Sequence, residues 1–153
     1  MSTHAVRVEE VMTKEVVSLD AAMSARDAAE LLTRHRINGA PVLGAERSVV
    51  GVVSKTDLLD ARNYPDDRAA TVEDLMTKIV LAVRPNDPAL LAVRLMVGED
   101  VHRALVVNDD GTLAGIVAPM DILRALVRGQ PLGDSNSVDA LEYVNLSWVH
   151  GKN

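Results

Sequence analysis

The chain has no cysteine and no phenylalanine, and one Trp and two Tyr are its only aromatic residues, 2% of 153. Without cysteine there is no disulfide, no thiolate nucleophile and no iron–sulfur ligation, a composition that fits a reducing compartment. With so few aromatic residues, the core must be built from Val, Leu, Ile, Ala and Met, and a planar ligand ring would be held between aliphatic side chains. A basic excess is also missing. The net charge is −6, with acidic residues spread along the chain, which argues against nucleic acid, whose non-specific affinity comes from a basic face. No stretch approaches the roughly 18 uninterrupted apolar residues of a membrane helix. The segment from Met1 to Glu10 lacks the apolar run of a secretory signal. A soluble, cytoplasmic protein is expected, and its 48% apolar and 25% charged residues are ordinary for a globular chain with a real core.

Catalytic sets are absent too. His4, His35, His102 and His150 show neither metal-ligand spacing nor an i, i+4 pair. There is no G-x-S-x-G, no P-loop and no G-x-G-x-x-G. Asp109-Asp110-Gly111 lacks the rest of a calcium loop and reads as a hairpin turn, while Asp66-Asp67 falls in a polar linker where nothing would raise a pKa. The expectation is that the chain is not an enzyme.

What is present is a duplication. Val8-Glu9-Glu10-Val11-Met12-Thr13-Lys14 recurs as Val72-Glu73-Asp74-Leu75-Met76-Thr77-Lys78, a shift of 64 residues. At that shift, with no gap, Leu31 meets Leu95, Val42 meets Val106, Gly51 meets Gly115 and Asp57 meets Asp121; about 16 of 54 positions are identical. Two helices of similar composition would not keep one register through strands and turns.

Each copy reads as β-α-β-β-α. Val16 to Leu19 and Ile79 to Val83 suit first strands. Ala25, Ala28, Ala29 and Leu32 recur at helical spacing with Ser24 placed to cap, and Leu91, Leu95 and Met96 do so with Asp87 as cap and Pro88 at the first helical position. Two strands follow in each copy, Pro41 to Leu43 with Val49 to Val53, and Leu105 to Val107 with Leu113 to Val117. The second pair is joined by the turn Asn108 to Gly111. A last helix begins near Lys55 and again near Pro119, the latter running to about Arg128 before Gly129. The domain reading is residues 1–61 for the first repeat, 62–71 for the linker, 72–128 for the second repeat and 129–153 for the tail. The fold class is α/β (α+β): two repeats packed sheet to sheet with pseudo-twofold symmetry, leaving two equivalent clefts.

These motifs resemble the cystathionine-β-synthase (CBS) domain family. The resemblance rests on the Val-x-x-Val/Leu-Met-Thr openings, Ala40-Pro41-Val42, and the closing Gly51-Val52-Val53-Ser54-x-x-Asp57 with its second version Gly115-Ile116-Val117-Ala118-Pro119-Met120-Asp121. It covers roughly residues 8 to 128 and implies a CBS pair, or Bateman module. Such modules commonly bind AMP, ADP, ATP or S-adenosylmethionine, commonly form homodimers, and control a channel, a transporter or an enzyme.

The resemblance also implies a site. A Ser/Thr-x-x-Asp element ends the third strand and starts the last helix, its carboxylate gripping both ribose hydroxyls and its hydroxyl and helix-start N–H groups suiting phosphate. Here that element is Ser54-Lys55-Thr56-Asp57. A Ser followed three residues on by an acid also reads as a plain helix cap; the family resemblance favours the nucleotide reading. In the second copy Ala118 and Pro119 remove the hydroxyl while Asp121 remains, so unequal clefts are expected, with the Asp57 cleft the better nucleotide site. By analogy with related modules, Val80, Val101, His102 and Arg103 would face the Asp57 ligand. Arg103 would pair with phosphate, or else is a solvated surface charge, and His102 would add a pH-dependent contact. Asn38, Gly39 and Ala40, with Ile37, would line the Asp121 cleft. His35, between Arg34 and Arg36, reads as an exposed helix end.

Two functions stand against each other. One is a homodimeric sensor of an adenine nucleotide or S-adenosylmethionine that modulates a partner protein. The other is a ligand-free dimerisation or protein-interaction module whose working surface is the dimer face or the tail with Trp148, a residue that otherwise simply packs.

Overall fold

The computed structural model describes residues 5–60, 70–78, 80–134 and 144–145. In chain order, the first elements are α1 (Val8–Val11), β1 (Leu19–Asp20), α2 (Ala25–Arg34), β2 (Gly39–Leu43), β3 (Val49–Ser54) and α3 (Lys55–Leu59), with a 3-10 turn at Ala45–Arg47. They are followed by α4 (Val72–Leu75), β4 (Leu81–Val83), α5 (Ala89–Gly98), β5 (Ala104–Val107), β6 (Leu113–Val117), α6 (Pro119–Val127) and β7 (Val144–Asn145). The class is mixed α/β, and the described residues divide into two compact units. Among them no helix is long and apolar enough to cross a membrane.

One unit comprises the described residues between Val17 and Val80. Its sheet has the order β1-β2-β3, β1 parallel to β2 and β2 antiparallel to β3. A parallel neighbour demands a crossover, which α2 supplies. The Ser24 hydroxyl accepts the Asp27 N–H at 3.1 Å, so the expected cap is in place. Ala25, Ala28 and Leu32 turn inward onto Leu19, Val42 and Val53. The helix stops where Arg36 adopts φ 56° and the Ile37 N–H reaches back to the Leu32 carbonyl at 3.0 Å. His35 is exposed at that end, as its flanking arginines suggested.

The other unit comprises residues 5–16 with the described residues from 81 to 145. Its sheet has the order β6-β5-β4-β7. The duplication extends to irregularities of backbone: Val42 opposes Gly51 and Val106 opposes Gly115, and the register slips just after each of these pairs. Asp100, 64 residues after Arg36, has φ 53° and ends α5 in the same way, the Val101 N–H reaching the Met96 carbonyl at 3.0 Å. The β-α-β-β-α reading did not include the short helices α1 and α4, and β1 spans only Leu19–Asp20 where Val16 to Leu19 was expected. Two further details differ in this unit. Pro88 itself is the cap residue of α5, in extended conformation, and the Asp87 carboxylate instead accepts the Arg84 N–H at 2.8 Å, closing the turn ahead of it. The tail also contributes a strand, with Val144 opposite Ala82 and Asn145 opposite Leu81. The Asn108–Gly111 turn is as expected, with Gly111 at φ 87°. The linker 62–71 lies outside the described residues except for Ala70 and Thr71, as do Ile79 and Trp148.

The compact units are cut differently from the sequence repeats. The opening of the first repeat packs on the strands of the second, where Thr13 exchanges two backbone hydrogen bonds with Ile116 at 2.8 and 2.9 Å. The opening of the second repeat packs on the first, where Thr77 exchanges the same pair with Val52 at 2.8 and 3.0 Å. Glycine makes both docks possible. A Cβ on Gly115 would stand 2.7 Å from the Thr13 carbonyl oxygen and 2.8 Å from Met12 Sδ. A Cβ on Gly51 would stand 2.8 Å from the Thr77 carbonyl oxygen and 2.7 Å from Met76 Sδ.

Candidate functional site

The third strand of each repeat runs directly into a helix, and an acid sits on that helix's first turn. At the first elbow, Ser54 is the last residue of β3 and caps α3. Its hydroxyl accepts the Asp57 N–H at 3.1 Å, and Asp57 Oδ2 accepts the Ser54 N–H at 3.2 Å. This reciprocal box satisfies two helix-start donors, so the plain capping role proposed for this motif is realised. Ser54, Lys55 and Asp57 are half-buried and Thr56 is exposed. Asp57 thus sits half-buried on the first turn of α3, with Lys55 two residues before it.

At the second elbow, Ala118 has no side-chain acceptor, so only the return bond forms, Asp121 Oδ2 accepting the Ala118 N–H at 2.8 Å. Asp121 is buried at 8% exposure. Its other oxygen, Oδ1, accepts the Thr13 hydroxyl at 3.2 Å and lies 3.5 Å from an Arg124 guanidinium nitrogen. At the shift of 64 residues Arg124 corresponds to Asp60, so the cation moves from Lys55 ahead of the acid to Arg124 behind it.

The remaining expected site residues distribute as follows. The Asn38 carbonyl accepts the Lys55 N–H at 2.7 Å, Gly39 stands opposite Ser54 and Ala40 opposite Val53. These three residues, expected to line the Asp121 cleft, thus lie beside the Ser54 elbow in its own unit. Val80 is buried in the unit that contains Asp57. Val101, His102 and Arg103 are exposed, immediately before β5, in the unit that contains Asp121. Among the described residues no three His, Asp or Glu side chains gather as a metal site would need. Sequence reasoning did not single out Thr13 or Arg124 as neighbours of Asp121. Thr13 lies in the repeated opening motif, but its contact spans 108 positions, which spacing alone does not reveal.

Two sheet-and-helix units, each with an acid-tipped strand-to-helix elbow, define a duplicated α/β module. The family model for the CBS domain matches residues 8–64 and again 72–128, and the chain belongs to the CBS domain family. It is similar to CBSX2 of Arabidopsis thaliana, solved in complex with AMP, at 32% identity and a TM-score of 0.72 over 80% of this chain and 96% of that one. The CBS domain pair of protein MJ0100, solved in complex with 5′-methylthioadenosine and S-adenosyl-L-methionine, is 25% identical with a TM-score of 0.65, over 79% of this chain and 99% of that one. Inosine-5′-monophosphate dehydrogenase of Methanocaldococcus jannaschii is 28% identical over 118 residues, which are 77% of this chain and 23% of the dehydrogenase. The chain therefore spans about a quarter of that enzyme's length.

Proposed function

We propose that this CBS pair is a regulatory module that binds an adenine nucleoside ligand (AMP, ADP, ATP or S-adenosylmethionine) and transmits its presence to a partner protein, without catalysing a reaction of its own. The observation that carries this reading is the Ser54–Asp57 elbow. Its carboxylate is only half-buried, a lysine precedes it, and the chain is 32% identical to a pair solved with AMP. Asp57 takes the ribose diol, and the Lys55 ammonium favours phosphate. The match of this pair to a quarter of a dehydrogenase supports a role in governing a partner. A cytoplasmic setting suits a cysteine-free chain that responds to a nucleotide.

The deciding experiment is thermal unfolding against AMP, ADP, ATP and S-adenosylmethionine, each at millimolar concentration. A ligand that binds only the folded chain raises the midpoint by mass action. The expected outcome is a rise with at least one of them that is lost in Asp57→Ala. No rise with any, or an equal rise in Asp57→Ala, would sink the assignment.

A second reading is favoured by one observation. Leu59 and Leu123, equivalent positions of the two repeats, are exposed at 63% and 51%, and Met120, Leu126 and Val127 continue the exposed apolar face of α6. In the other unit an open groove of about 610 Å3 runs between α2 and α3, floored by Ala25, Ala29, Leu58 and Leu59. These surfaces support a homodimer, which serves either as the frame of the sensor or, with the ligand sites vacant, as the function itself.

A further inference from the structure

The duplication is an internal control for which surface residues the fold itself requires. At the shift of 64 residues, Arg26 and Thr33 of α2 become Leu90 and Val97 of α5, and Thr56 of α3 becomes Met120 of α6. The first repeat forms the same helices with polar residues at these places, so the apolar ones are not needed to fold the second. Met120, Leu123 and Val127 follow one another at i, i+3 and i+7, one exposed stripe of α6, with Leu126 beside it and Val97 on α5. Val97 and Val127 are as much as 77% and 88% exposed. An apolar ridge of this kind marks a contact surface.

The equivalent place in the first repeat is hollow. The groove of about 610 Å3 is lined on α2 by Ala25, Ala29 and Thr33 at four-residue spacing, and on α3 by Leu58 and Leu59. Where α2 has Ala29 and Thr33, the second repeat has Val93 and Val97, so bulk missing from one helical face is present on the other. Charge separates the possible pairings. The exposed charges at α6 are Arg124 and the C-cap Arg128, with no exposed acid, because Asp121 is buried. Two ridges face to face would crowd like charges, and two grooves face to face would leave the hollow unfilled. A ridge laid in a groove takes the apolar surface of both from water and offers the arginines an acid, the exposed Glu30 of the groove wall.

We propose that the α5–α6 ridge of one copy of this chain seats in the α2–α3 groove of a second copy, and reciprocally, giving a head-to-tail dimer with twofold symmetry. This rests on the homodimer reading given above and adds its arrangement: unlike faces meet.

The test is a mixing experiment on the full chain, read by sedimentation equilibrium. A ridge variant carries Leu123→Lys with Val127→Lys, and a groove variant carries Thr33→Glu with Leu59→Glu. All four side chains are exposed, so both variants fold, and a cooperative thermal transition in each checks this. Each variant alone sets charges against an apolar face and self-associates at least about tenfold more weakly than the parent chain. An equimolar mixture recovers the dimer at close to the parent's affinity. In the mixed pair the lysines of one chain meet the glutamates of the other, while the second ridge and groove are unaltered. Variants that dimerise as well as the parent, or a mixture no more associated than its components, overturn the proposal. A parent chain that sediments as a monomer overturns the homodimer reading itself, whereas a parent dimer with no recovery on mixing overturns only the arrangement.

Discussion

The hydroxyl of Thr13 donates to Oδ1 of Asp121 at 3.2 Å, joining the opening segment of the first repeat to the last helix of the second. The contact is partly buried and its acceptor is almost fully enclosed, so loss of the donor leaves a carboxylate oxygen short of a partner. Thr13→Val keeps the shape and removes the hydroxyl. It should lower the unfolding free energy by about 1 kcal/mol, read from urea denaturation at constant slope. A midpoint equal to that of the parent chain would show that the hydroxyl is not a donor in solution.

Alanine at Gly51 or Gly115 should be more damaging. Each new Cβ would meet a backbone carbonyl oxygen at 2.8 or 2.7 Å, and a backbone atom paired into a sheet bridge cannot retreat as a flexible side chain can. Overpacking of this kind costs about 1–3 kcal/mol. The thermal midpoint should fall in both variants, and by a similar amount because the two docks have the same geometry. A pronounced drop in one variant only would mean that the two opening segments are not held alike.

The exposed leucines at equivalent positions give a prediction about assembly. The double variant Leu59→Asp with Leu123→Asp places two charges on apolar surface that is 63% and 51% exposed in the single chain, so the folded protomer should survive. If those surfaces pair two copies, light scattering should give the mass of a monomer for the variant and of a dimer for the parent. A parent that is already monomeric removes the homodimer from both functional readings.

The β5–β6 hairpin carries a pH dependence of known sign. The Thr112 hydroxyl donates to the Asp110 carboxylate at 2.6 Å and the Thr112 N–H at 3.0 Å, and these bonds hold the Asp110 pKa below its ordinary value of 3.8. A pKa lowered in the folded state contributes stability above the unfolded value and loses it as pH falls through the folded one. Amide exchange in residues 108–112 should therefore show faster opening, relative to the unfolded-chain rate at each pH, as pH drops below 3.8. Asp110→Asn should abolish that response, and a response that persists in the variant would assign it to another group.

The amino-acid sequence determined the family, the mixed α/β class and the main strands and helices of each repeat, because these follow from local signals, whereas the short helices α1 and α4 were not read from it. The gapless recurrence from Val8 to Ala61 announces two copies of one unit. Alternating and helical apolar spacing mark strands and helices, and Ser24 and Gly129 mark helix ends. The acid on the first turn of each repeat's last helix, Asp57 or Asp121, was legible in the same way. Local signals failed where neighbours compete or lie far apart in sequence. Asp87 and Pro88 both suited the start of α5, and the proline took the cap because the aspartate was already closing the turn at Arg84. Val144 joined the sheet through a pairing with Ala82 that no nearby residue specifies. Only the tertiary structure decided that each repeat's opening segment docks on the strands of the other, and that Asp121 is enclosed by Thr13 and Arg124 while Asp57 stays half open. Hydrogen bonds and van der Waals contact act through space, so a contact spanning 108 positions depends on how the intervening chain packs, which periodicity and spacing do not encode.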